Sequence, residues 1–257
     1  MRIVWLIIVG LVAYLVGVIA FFPAAPVIER IKPQLGPVAL SGVQGKLYSG
    51  VIDSVRSTDD LLPLEFSNVG WTLSPRTLIS GGAGASVRFE GYGGQGGGLV
   101  ARQWNGDINV TDFSFDMQAK QLEPLLPVPV ATFSGRLSGD IRRIKLVEQL
   151  LTEFEGTLTW ADALLESPVP TSLGDVRVEI EPNGEQTHVV TLNANGGDIA
   201  MDGTVTITLS GDFSADIVFT PSPNAPPAVL NGLRQMGRQD AEGRVRFVRQ
   251  GNVNRLM

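Results

Sequence analysis

The stretch Thr204-Val205-Thr206-Ile207-Thr208-Leu209-Ser210-Gly211-Asp212-Phe213-Ser214-Ala215-Asp216-Ile217-Val218-Phe219 decides how this chain folds. Val205, Ile207 and Leu209 alternate with Thr204, Thr206 and Thr208; after Ser210-Gly211 the alternation resumes with Phe213, Ala215, Ile217 and Phe219. A period of two sends successive side chains to opposite faces of a strand, so each run has one apolar and one wet face, and the Ser-Gly pair reads as the turn between them. Other windows repeat the pattern. Phe113, Phe115 and Met117 alternate with Ser114, Asp116 and Gln118; Val176, Val178 and Ile180 with Arg177 and Glu179; Val245 and Phe247 sit among Arg244, Arg246 and Arg249. One apolar face and one solvated face is the antiparallel habit. Turn pairs at Asn183-Gly184, Gly196-Gly197, Asp202-Gly203 and Ser210-Gly211 fall about every 8 to 12 residues, the spacing of short strands in an all-β domain.

Two segments of the body break this pattern. Lys145 to Phe154 is expected to form a short helix of about two turns. Ala228 to Met236 carries Val229, Leu230 and Leu233 at helical spacing, with Pro226 and Pro227 before it and Gly237 after it as a stop.

The chain begins differently. Ile3 to Phe22 is twenty consecutive residues without a charge, followed at once by Pro23. As a helix it covers roughly 30 Å, the thickness of a bilayer's hydrocarbon core. It is longer than the apolar region of a secretory signal, and Phe21-Phe22-Pro23-Ala24-Ala25-Pro26 does not supply the small residues a cleavage site needs, so a retained anchor is expected. Nothing polar inside it marks an ion path, and no Gly-x-x-x-Gly pair marks a close helix contact. Pro23, Pro26, Pro33 and Pro37 then allow only a short helical turn around Val27 to Lys32. The expected organisation is a tip and transmembrane helix over residues 1–22, a Pro-rich stalk over 23–40, and a β domain over 41–257.

Composition removes most chemistry. The 257 residues carry a net charge of −6, no cysteine and one histidine, His188. Without cysteine there is no disulfide, thiolate site or thiol nucleophile, and one histidine cannot build a multi-histidine metal centre. No basic stripe is present to neutralise phosphates, so nucleic acid is not an expected partner. No cofactor, metal or catalytic residue is expected. Gly81 to Gly98 holds nine glycines and includes Gly91-Tyr92-Gly93-Gly94-Gln95-Gly96, formally a dinucleotide-binding pattern; no helix-period segment follows to meet a pyrophosphate, so it reads as a flexible hairpin tip or loop. Glu153 and Glu155 share a strand face and are the pair to consider for acid–base work on a glycan, against solvated charges as the default. His188, beside Val190 and Leu192, is expected to be an ordinary strand histidine.

An internal repeat organises the body. Gly45-Lys46-Leu47-Tyr48-Ser49-Gly50 is followed by Trp71, and Gly135-Arg136-Leu137-Ser138-Gly139 by Trp160; each tryptophan precedes a leucine-bearing segment, Thr77-Leu78-Ile79 or Ala163-Leu164-Leu165. The matched positions of Trp71 and Trp160 point to sheet packing rather than ligand stacking. The mainly β fold expected is thus a large antiparallel, curved or sandwich-like β domain of two similar halves, about 41–125 and 130–250, joined around the Pro-rich Glu123 to Pro129 and held by a single N-terminal transmembrane helix.

These features, in this order, resemble the type II secretion system protein N family. The resemblance rests on the N-terminal span from Ile3 to Phe22, on Gly45, Leu47, Tyr48 and Gly50 where the family has a Gly-x-Leu-Trp-x-Gly pattern, on Trp71 and Trp160, and on Leu233-Arg234-Gln235-Met236-Gly237 with Asp240-Ala241-Glu242-Gly243-Arg244. Tyr48 replaces the usual tryptophan, an exchange that keeps an aromatic ring. The resemblance implies an accessory inner-membrane component that crosses once with its N-terminus in the cytoplasm. It presents a periplasmic β domain for assembly or stability of the secretion apparatus, with other secretion-system subunits as partners. The alternative is an AsmA-like, membrane-anchored envelope protein whose apolar β trough handles lipid; an open sheet would favour it, a closed sandwich would make the same face core.

Overall fold

The structure is a computed structural model. It describes all residues except 1–3, 8–9, 12–13, 15–16, 18–20, 35, 58, 60–62, 126–131, 149, 168, 185 and 253–257. Much of the expected span from Ile3 to Phe22, Ile3 included, therefore lies outside the described residues. No helix among the described residues is long and apolar enough to cross a membrane.

The body is one antiparallel sheet of 13 strands in strict sequence order, each paired with its neighbours in the chain. A short helix α1 (Ala25–Ile31) and a 3-10 turn (Lys32–Gln34) lead into β1 (Val38–Gly45), β2 (Ser49–Ser57) and β3 (Glu65–Leu73). Helix α2 (Pro75–Ile79) precedes β4 (Gly82–Gly91), β5 (Gly94–Gln103) and β6 (Ile108–Gln118). After a 3-10 turn (Ala119–Leu125) come β7 (Thr132–Val147), β8 (Leu150–Ser167), β9 (Thr171–Pro182), β10 (Thr187–Gly196), β11 (Ile199–Thr208) and β12 (Asp212–Pro221). Helix α3 (Pro227–Met236) and β13 (Val245–Asn252) end the described chain. At strand spacing the ribbon is about 60 Å across. The antiparallel β expectation holds, as does the helix expected at Ala228 to Met236. The sandwich-like alternative does not: the strands make one sheet, not two facing ones.

Register lines the apolar residues up on one face. Leu158 lies opposite Val178, Val178 opposite Leu192, Val190 opposite Val205 and Ala194 opposite Met201, while Ile217 pairs with Phe247 and Phe219 with Val245. The other face carries cross-strand ion pairs such as Arg136 Nε–Asp116 Oδ1 at 2.6 Å and Arg56 Nε–Glu65 Oε1 at 2.9 Å. Among the described residues, the buried apolar ones are mostly alanines, and the largest side chains fully enclosed are Leu233 of α3 and Val245 of β13. The rest of the apolar face is half-buried by its own neighbours.

The glycine-rich stretch makes this packing possible. The hairpin tip expected here is Tyr92-Gly93, both at positive φ (53° and 69°); Gly82 to Gly91 and Gly94 to Gly98 on either side of it are strand. Gly96 and Gly98 sit on the apolar face of β5, where a Cβ at Gly96 would press on Phe89 and Phe115, and one at Gly98 on Phe113. Rings from β4 and β6 therefore meet across β5: Phe89 and Phe113 stack at 6.0 Å, Phe66 meets Phe89 edge-on at 4.8 Å, and Phe113 lies 6.2 Å from Phe115. Large side chains shield backbone that has no side chain of its own. Gly203, expected in a turn, instead lies inside β11 opposite Ile217 for the same reason.

Lys145 to Phe154 is not a helix. It is the β7–β8 hairpin, turning at Glu148 with φ 52°. Its apolar residues also fit a strand period, and β6 supplies partners on the apolar face: Val110 for Ile144 and Ile108 for Leu146. Tertiary pairing overrides a local helical preference of a few tenths of a kcal/mol per residue.

Two measurements test this architecture. Gly96→Val is expected to destabilise by about 2 kcal/mol through overpacking against Phe89 and Phe115, whereas Gly232→Ala, in α3 with nothing near its Cβ, is expected to stabilise by up to about 1 kcal/mol; denaturant titration reads both. At the β13 edge, the hydrogen bond from Arg246 holds the Asp216 carboxyl below the usual carboxylate range. A depressed folded-state pKa contributes stability above the ordinary carboxylate pKa that is lost as pH falls through the depressed value. Protection factors of the β13 amides, corrected for the intrinsic pH dependence of exchange, should fall in that acidic window, and Arg246→Gln should remove that fall.

Candidate functional site

The β1–β2 hairpin, Gly45 to Gly50, is where the sheet grips the chain leaving the apolar segment. Leu47 N–H donates to Phe22 O at 2.9 Å, and Ala24 N–H donates to Gly45 O at 3.1 Å. Pro23 and Lys46 form an isolated antiparallel bridge, Lys46 Nζ stands 4.7 Å over the Phe21 ring, and Ala24 is fully enclosed. The hairpin is braced from behind by β3: Trp71 Nε1–H donates to Leu47 O at 3.1 Å, and Leu73 N–H to Tyr48 O at 2.8 Å. Gly50 lies opposite Trp71, and a Cβ there would overlap Gln44 O and the indole ring. The residue types follow from the geometry. Gly45 (φ 98°) turns the chain, Gly50 admits the ring, and the indole is long enough to reach a carbonyl beyond it.

Trp160 is placed similarly in the second half. Its Nε1–H donates to Ser134 O at 2.9 Å, its ring meets Phe133 edge-on, and it packs against the cluster of Ala163, Val176 and Ala194. The register differs: Trp71 pairs with Gly50, whereas Trp160 pairs with Leu137. The leucine segments that follow differ too, since Thr77-Leu78-Ile79 lies in α2 and Ala163-Leu164-Leu165 in β8. Glu123 Oε1 accepts a hydrogen bond from Phe133 N–H at 2.8 Å, which ties the joint to β7.

The residues considered for chemistry are engaged otherwise. Glu153 and Glu155 hold Arg143 and Arg142 at 3.1 and 2.8 Å. His188 Nε2 accepts the Phe154 amide at 3.0 Å, reaching past the end of β9 at Pro182, whose ring nitrogen has no hydrogen to give. Two grooves open on the polar face: one of about 1270 Å³ between Arg76, Arg88, Asp112, Asp116 and Asp140, and one of about 700 Å³ between Asp202, Asp216, Arg238, Asp240 and Arg244. Asp116, Asp216 and Asp240 are tied to Arg136, Arg246 and Arg244, and Asp202 accepts a hydrogen bond from Asn193. Hydrogen bonds from Arg246 and Arg244 keep Asp216 and Asp240 below the ordinary carboxylate range. Acids held ionised in this way are ion-pair partners, not proton donors at neutral pH. Among the described residues no three potential metal ligands converge.

Sequence reasoning marked Gly45, Leu47, Tyr48, Gly50, Trp71 and Trp160 but not what they hold. The grip of the hairpin on residues 22–24 uses backbone groups, which carry no signature in side-chain pattern. The proline cluster after Phe22 was the one available signal that the chain changes course there.

Comparison with known proteins gives one consistent result. The family model described as "Type II secretion system (T2SS), protein N" matches residues 36–248. The chain is 26% identical over 245 residues to the type II secretion system protein N of Vibrio cholerae serotype O1 (strain ATCC 39315 / El Tor Inaba N16961), covering 92% of this chain and 93% of that protein. It is 24% identical over 249 residues to the type II secretion system protein N of Aeromonas hydrophila, covering 95% and 96%. No solved structure matches. The family match runs from just before β1 into β13, so it embraces the hairpin, both tryptophans and the apolar face together: the chain belongs to the type II secretion system protein N family.

Proposed function

We propose that this protein is an accessory inner-membrane component of the type II secretion system, crossing the membrane once through residues 3–22 with its N-terminus in the cytoplasm and its sheet in the periplasm. The observation that carries the reading is the hairpin grip on residues 22–24 in a chain of this family. A tether hydrogen-bonded directly to the sheet leaves no free linker, so the sheet has a set position relative to the membrane. Residues 41–125 and 130–250 act on this reading as two variants of one β unit, each braced by a tryptophan indole on a backbone carbonyl. Gly45, Leu47, Tyr48, Gly50 and Trp71 orient the tether, Trp160 holds the second unit, and the sheet offers its surface to other secretion subunits. No catalytic step is assigned.

A second reading is favoured by the open sheet. Among the described residues no second sheet covers the apolar face, so this face is available to acyl chains, each buried methylene contributing about 0.8 kcal/mol. On that reading the protein is an AsmA-like lipid handler of the envelope.

The two readings differ in what they expect. Deleting the gene should lower the secreted proteins found in the culture medium, with rescue by the full chain; full rescue by a chain beginning at residue 23 behind a cleavable signal would remove the tether from the reading, and unchanged secretion with a damaged outer membrane would favour lipid handling. Purification of that untethered chain without detergent, followed by lipid extraction and mass spectrometry, should yield stoichiometric phospholipid if the face holds lipid; a lipid-free monomer would end the second reading.

A further inference from the structure

A strict antiparallel meander puts the turns after odd strands at one margin of the sheet and those after even strands at the other. Among the described residues the two margins are unlike. The turns after β1, β3, β5 and β7 expose Tyr48, Leu78, Ile79, Trp104, Leu150 and Leu151, with Ile79 at 89% and Trp104 and Leu150 each at 69%. Among the described residues, the opposite margin exposes a single large apolar side chain, Met236. Turn residues are ordinarily polar, and a contiguous exposed apolar row marks a contact surface.

The row is continuous with the end of the apolar N-terminal segment. Leu47 N–H reaches Phe22 O, Leu73 N–H reaches Tyr48 O, and Trp104 N–H reaches Gly81 O at 3.0 Å, so backbone hydrogen bonds run from residue 22 through the first three odd-strand turns. Exposed Lys46 and Arg76 lie on the same margin. Tryptophan and tyrosine favour the headgroup boundary, where an apolar ring and a polar edge are both satisfied, and lysine and arginine favour anionic headgroups.

We infer that this margin rests in the membrane surface, with Ile79 and Trp104 dipping into the headgroup–acyl boundary, so that the sheet stands edge-on to the bilayer. The inference rests on the membrane-anchored reading above. It deepens that reading by giving the sheet a second membrane contact besides the tether and by placing one lip of the apolar face against lipid.

The absence of native cysteine makes the test direct. Single variants Ile79→Cys, Trp104→Cys, Gly10→Cys in the N-terminal segment, and Asn224→Cys at the opposite margin are labelled with an environment-sensitive fluorophore. The full chain is then reconstituted into phosphatidylethanolamine–phosphatidylglycerol vesicles with or without doxyl-labelled lipid. Labels at 79 and 104 are expected to lose most of their emission to the doxyl lipid and to emit at shorter wavelength than the label at 224. Labels at 79 and 104 that behave like the one at 224 overturn the proposal, leaving the anchor in place if the label at 10 is quenched and removing the anchor as well if it is not. Quenching at 79 and 104 without quenching at 10 supports the margin contact and overturns the anchor.

Discussion

The structure depends on how a single sheet shields an apolar face that, among the described residues, no second sheet covers. A face left open to water would forfeit about 25 cal/mol for every Å² of apolar surface it exposes. The chain reduces that loss by leaning large side chains across strands that carry glycine: Phe89 and Phe113 meet over Gly96 and Gly98, Phe115 lies over Gly139, Trp71 over Gly50 and Phe213 beside Gly251. Bulges at Asn68, Asp112 and Asp162, all at positive φ, add local twist where the pairing register shifts. Glycine in a strand is usually a weakness; here it makes room for the neighbour's ring.

That packing also explains why the hairpin can act as a grip. Trp71 covers Gly50 with its ring and, from the same position, bonds Leu47 O with its indole nitrogen. The hairpin is thus fixed to β3 on one side and, by backbone hydrogen bonds, to residues 22–24 on the other. The polar face plays a different part. Its arginine–carboxylate pairs zip neighbouring strands, most clearly at the edge strand β13, where charged side chains also discourage pairing with another sheet.

Alternation in the sequence was enough to recognise antiparallel strands, the polarity of each face and the helix after Pro227, because these depend on the period of side chains along one segment. The family was legible too, since Gly45 to Gly50, the two tryptophans and the C-terminal segment stand in recognisable order. Lys145 to Phe154 misled, and Gly81 to Gly98 showed its hairpin tip but not how far strand extends to either side of it. The first has leucines at spacings that suit either period, and β6 decided between them; the second is rich in glycine, which signals flexibility until the rings that cover it are placed.

The amino-acid pattern by itself therefore determined a mainly β chain with one apolar face per strand, behind an apolar N-terminal segment, and without thiol or multi-histidine chemistry. Only the tertiary structure decided that the strands form one open sheet rather than a sandwich, that Gly45 to Gly50 holds residues 22–24, and that Tyr48, Ile79 and Trp104 gather on one margin. The physical reason is locality. Side-chain period is a property of neighbours along the chain, whereas sheet closure, backbone-to-backbone grips and the alignment of turns depend on which strands lie side by side.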